Sequence, residues 1–128
     1  MEVTHKPGEA ESLKLYAKAQ ALLMKVYPTL QNYPRVEHHQ LCATIKHLFA
    51  KLLEHIALAK YATSVSVRMA ACKKAAGVLQ NLTTWYELSS KRRYIKKEFF
   101  EEVDADLTEL KKILAGFMKA AGESRRKP

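Results

Sequence analysis

The sequence predicts an all-α protein, an antiparallel up-down-up-down four-helix bundle, and three observations carry that prediction. Apolar residues recur every three or four positions along four long segments, the period of a helix with one buried face. Only 4 glycines and 4 prolines interrupt 128 residues, so long stretches run without a breaker. The connections between segments are short, which makes consecutive helices antiparallel neighbours that bury their stripes against each other. With 48% hydrophobic residues the chain can fill one continuous core, and a single domain is expected over residues 1–128. Residues 1–8 should fray and 121–128 should form a short basic tail.

The first helix is expected from Glu9 to about Gln31, with Leu13, Tyr16, Ala17, Gln20, Met24 and Tyr27 facing inward and Lys14, Lys18 and Lys25 facing out. Pro28 should kink or end it, because proline lacks an N–H donor and crowds the preceding turn. The second helix should start between Val36 and His38 and run to about Tyr61, on Leu41, Ile45, Leu48, Leu52, Ile56 and Ala59, flanked by Phe49 and Leu53. Thr63, Ser64, Val65 and Ser66 suit a tight turn with the next N-cap. The third helix should cover Val67 to Leu88 and bury Ala71, Cys72, Ala75, Val78, Leu79, Leu82, Trp85 and Tyr86. Ser89 or Ser90 is a natural cap for a fourth helix to about Ala120, with Ile95, Phe99, Val103, Leu107, Leu110, Leu114 and Phe117 inward.

The charge balance points to a polyanionic partner. There are 22 Lys and Arg against 13 Asp and Glu, a formal charge of +9 and a pI near 9.6. From Val65 onward 14 basic residues face 8 acidic ones, against 8 and 5 before it, so the second hairpin is the expected electrostatic footprint. Its densest stretch is Lys91, Arg92, Arg93, Tyr94, Ile95, Lys96 and Lys97. At the start of a helix such cations oppose the macrodipole, which suggests that a partner keeps them there. Arg68, Lys73 and Lys74 extend the candidate nucleic-acid surface toward the other end of the third helix, and phosphate contacts from these groups would give salt-dependent affinity.

Catalysis has no visible carrier, and no enzyme or cofactor is expected. Cys42 and Cys72 lack metal-ligand spacing and read as core residues. His47 and His55 lie two turns apart, too far for one metal ion without ligands from another helix. Glu98, Glu101, Glu102, Asp104, Asp106 and Glu109 lack the Glu-x-x-His pattern of bundle metal sites and read as a solvated face, with Glu98 and Glu102 near lysines. No phosphate-binding glycine loop or nucleophile elbow occurs. No apolar run approaches the roughly 20 residues that span a bilayer, so a cytoplasmic protein with no membrane partner is expected.

Several short motifs carry a family resemblance: Tyr27-Pro28, Tyr33-Pro34-Arg35, Ala59-Lys60-Tyr61, Leu88-Ser89 and Leu114-Ala115-Gly116-Phe117. With the helix order and lengths, the chain resembles the accessory variability determinant proteins of diversity-generating retroelements over roughly residues 12 to 120. Those proteins belong with the four-helix-bundle proteins encoded in intervening sequences of bacterial 23S ribosomal RNA genes. The resemblance implies a non-catalytic, basic, barrel-like homopentamer that binds RNA or DNA together with a reverse transcriptase during mutagenic copying of a template repeat. Relatives often carry arginines in the second half of the third helix. Gln80, Asn81, Thr83 and Thr84 stand there in this chain, and its positive charge lies instead at Lys73, Lys74 and the stretch from Lys91. Trp85, Tyr86, Phe100 and Met118 add apolar area that a subunit contact could use. The alternatives are an intervening-sequence bundle protein with another RNA-related role, or a scaffold for an acidic protein.

Overall fold

A proline ends the first helix and a left-handed residue follows the third. The computed structural model describes the backbone of residues 9–126 and the side chains of residues 9–122, so residues 1–8, where fraying is expected, and the side chains of Arg125, Arg126 and Lys127 lie outside it. Helix α1 spans Glu9–Val26 and ends one residue before Tyr27-Pro28, where the chain tightens into a 3-10 turn over Tyr27–Asn32. The Thr29 hydroxyl donates to the Val26 carbonyl, one of the acceptors the broken helix leaves open. A second short 3-10 turn, Arg35–Glu37, leads to α2 at Leu41–Tyr61. Helix α3 covers Val65–Lys91 and α4 covers Lys97–Arg126.

The described residues form four helices without a strand, an all-α bundle as the sequence predicts. Each helix packs on its neighbours in chain order and α4 closes the ring against α1. Lys18 pairs with Glu109 at 2.6 Å while Lys25 pairs with Asp106 at 3.1 Å and Glu102 at 3.8 Å. Numbers rise along α1 as they fall along α4, which fits the up-down-up-down arrangement. The core runs the length of the bundle through Leu15, Leu22, Ile45, Phe49, Leu52, Leu79, Tyr86, Leu107 and Phe117, among others.

The buried stripes of α2, α3 and α4 follow the expected spacing, but α1 is turned. Its inner face is Ser12, Leu15, Ala19, Leu22 and Val26. Leu13, Ala17, Gln20, Met24 and Tyr27 are exposed, Met24 to 75%, and Tyr16 is only half-buried. Both stripes have helical period, so periodicity cannot choose between them. The observed rotation buries the aliphatic one and swings Lys18 and Lys25 toward the acidic residues of α4, where they gain partners.

Several ends also differ from expectation: α1 stops at Val26 rather than near Gln31, and α2 starts at Leu41 rather than between Val36 and His38. Ser64 caps α3 by accepting from the Val67 amide, so that helix starts at Val65, two residues early. Helix α4 does not stop at Ala120; it continues through Arg126 and buries Ala121. Of the apolar residues expected to serve a second subunit, Tyr86 lies in the core and Trp85, Phe100 and Met118 pack partly buried against it.

Candidate nucleic-acid interface

The cation cluster folds as a turn, not as a helix start. Helix α3 overruns Ser89 and Ser90 to Lys91, and α4 begins only at Lys97. The intervening backbone is a Schellman closure: the Arg93 amide donates to the Ser90 carbonyl and the Tyr94 amide reaches back to Ser89, both at 2.9 Å. Arg93 therefore sits in the left-handed region at φ 60, a position that usually holds glycine. The break cannot be read from turn residues, since the stretch has no glycine or proline. Tertiary contact supplies the reason. The Tyr94 ring lies 5.4 Å from the Tyr33 ring, and its hydroxyl donates to Glu37 Oε2 at 2.9 Å. These contacts tie the α3–α4 turn to the α1–α2 connection and place both at one pole of the bundle.

This geometry revises the electrostatic reading of the cluster. Lys91 and Arg92 lie at the C-terminus of α3, where cations are favourable to the macrodipole. Only Lys96 and Lys97, at the start of α4, keep the opposed arrangement, and Glu98 in the first turn offsets it. Lys91, Arg92, Arg93, Lys96 and Lys97 are all exposed, and none forms an ion pair with a described residue. The Arg92 guanidinium stands over the Tyr94 ring at 5.8 Å and donates to its hydroxyl at 3.4 Å, which raises its pKa further above the ordinary arginine value.

The other sequence candidates are not part of this turn. Lys73 and Lys74 are exposed, but 18 residues separate Lys74 from Arg92, roughly 27 Å along α3 at about 1.5 Å per residue. Arg68 is not a surface cation at all. It is 5% exposed, and its Nη2 donates to the Ala62 carbonyl at 2.8 Å, capping the end of α2. Burial of its long stem explains how a charged residue can take a position on the inner face of α3.

Chemistry at the remaining groups is subdued. Cys42 and Cys72 are buried, and burial pushes both thiols up, Cys72 to about 11. Burial also raises Tyr33 to about 12, with Ser89 beside it partly offsetting the shift. The Ser89 hydroxyl donates to the Trp85 carbonyl at 2.8 Å, and the buried Tyr33 and Tyr86 hydroxyls lack a well-formed partner among the described residues. His47 is exposed, His55 half-buried, and no described group of three His, Cys, Asp or Glu side chains converges. No described helix is long and apolar enough to cross a membrane.

A family model described as 23S rRNA-intervening sequence protein matches residues 11–116. The chain belongs to that family. The family match runs from the first turn of α1 through the first two thirds of α4 and contains Arg68, Lys73, Lys74 and the cations from Lys91 to Lys97. A structurally similar protein is one of unknown function from the S23 ribosomal protein family of Bacteroides thetaiotaomicron. It shares 18% identity at a TM-score of 0.77, covering 85% of this chain and 98% of that one, and so shares the fold. Among curated proteins none matches.

Proposed function

We propose that this intervening-sequence protein is a non-catalytic nucleic-acid-binding protein whose phosphate contacts come from Lys91, Arg92, Arg93, Lys96 and Lys97. One observation carries the reading: five exposed cations with no ion-pair partner among the described residues are gathered at a turn in which Arg93 is held in a conformation unfavourable to arginine. The rRNA-related family and the charge of +9 support it. Lys73 and Lys74 form a separate and weaker basic zone. The action is binding rather than catalysis, with both thiols buried in the core and Ser64 and Ser89 engaged in hydrogen bonds of the helix ends.

The test is filter binding of RNA and DNA across a salt series. Changing Arg92, Arg93, Lys96 and Lys97 together to glutamate should abolish binding at low salt, and the wild-type slope of log affinity against log salt should be steep, at about 0.7 to 0.9 per phosphate contacted. Unchanged binding by the reversed protein removes the site. The finer reading, a homopentameric partner of a reverse transcriptase in a diversity-generating retroelement, rests on the motif resemblance. It requires a reverse transcriptase gene and paired repeats beside the gene for this chain, and co-purification of the two proteins on co-expression.

A further inference from the structure

The pole that carries the α3–α4 turn has a second feature on its α1–α2 side. An open groove of about 380 Å³ lies between the first 3-10 turn and the start of α2, lined by Tyr27, Pro28, Gln31, His38, His39 and Lys46, with Leu30 and Cys42 at its floor. Its lining contains no carboxylate, whereas the groove between α1 and α4 is lined by Asp106 and Glu109 together with Lys18 and Lys25 and is neutralised from within. Tyr27 was expected inside the bundle but is 52% exposed, and the Lys46 ammonium stands 4.9 Å from its ring centre. An exposed aromatic ring with a cation on it, in a groove whose own lining carries no carboxylate, complements a nucleobase with its phosphate.

The groove is connected to the cation turn through shared residues. The Tyr33 ring packs on Tyr94 of the turn, while the Tyr33 carbonyl lies 2.9 Å from His38 Nε2 in the groove. Glu37, the acid between the two, is occupied by the Tyr94 hydroxyl. A strand crossing this pole would therefore meet cations on one side and an aromatic platform with a further cation on the other.

We infer that the groove is a stacking site for single-stranded nucleic acid, with one unpaired base against the Tyr27 ring and Lys46 on an adjacent phosphate. This rests on the function proposed above and narrows its ligand from nucleic acid in general to an unpaired strand. A duplex keeps its bases stacked on each other and can use the turn cations but not the ring, whereas bases of a single strand splay out onto aromatic side chains.

The experiment compares a fluorescently labelled 20-nucleotide single-stranded RNA with the same RNA in a duplex, by anisotropy at fixed salt, for the wild type, Tyr27→Ala, Tyr27→Phe and Lys46→Ala. Tyr27 is exposed, so the variants should fold, and thermal melting verifies it. Removing the ring should weaken single-strand binding about tenfold and leave duplex binding within about twofold, while Tyr27→Phe keeps wild-type affinity because the π-face remains. Lys46→Ala should lower the salt slope by about one phosphate equivalent. Wild-type affinity of folded Tyr27→Ala for the single strand overturns the stacking site and leaves the turn reading intact, as does an equal loss for both RNAs. Absence of binding to either RNA by the wild type overturns the function itself.

Discussion

At Arg93 a left-handed backbone, φ 60, is imposed on a residue with a Cβ. For a non-glycine residue this conformation costs roughly 1 to 2 kcal/mol, part of which a glycine would return as a larger loss of chain entropy on folding. Arg93→Gly is therefore expected to raise the unfolding free energy by about 1 kcal/mol in a denaturant titration, while weakening RNA binding. If affinity is unchanged, the side chain is not kept for a ligand. The cations themselves were legible in the sequence as a cluster, but the turn that presents them was not. Glycine and proline are the usual signals for a helix end, and here the signal is a contact between Tyr94 and Glu37, 57 residues apart.

Among the elements, the α2–α3 connection shows how a charged residue can serve the fold. Helix α2 ends at Tyr61, and the exposed turn after it would leave the Ala62 carbonyl facing the interior without a donor. Arg68, one turn into α3, reaches back to it. A hydrogen bond from a charged donor contributes about 1.5 to 3 kcal/mol, so Arg68→Ala should lower stability by about 2 kcal/mol in urea unfolding. The same variant, assayed where it is folded, should bind RNA like the wild type, in contrast to the surface cations of the α3–α4 turn. Composition alone cannot separate these two kinds of arginine. Along α1 a similar ambiguity applies: two apolar stripes share the helical period, and only the neighbours decide which one is buried.

Across the whole molecule, the ring of helices is closed by α1 against α4 through a line of exposed ion pairs. The hydrogen bond from Lys18 holds the Glu109 carboxyl below its ordinary value of 4.5, with Lys14 and Lys112 adding to the effect. A lowered carboxylate contributes stability that is present above the unfolded pKa and is lost as pH falls through the folded one. The stability difference between wild type and Glu109→Gln should be small and constant near neutrality, should begin to fall at the ordinary carboxylate value and should vanish only below the lowered value of the folded protein. It should also shrink with added salt, because both partners are exposed. Thermal melts over pH 3 to 7 at two salt concentrations test this.

By itself the sequence determined the helix count, the inner faces of α2, α3 and α4, a break in the first helix near Pro28 and the excess of positive charge. These are local or periodic properties, encoded by residues within one helix turn of each other. Only the tertiary structure decided the rotation of α1, the burial of Arg68, the turn at Arg93 and the joining of that turn to Tyr33 and Glu37 at one pole. Each depends on partners far away in the chain, whose positions no period or breaker encodes.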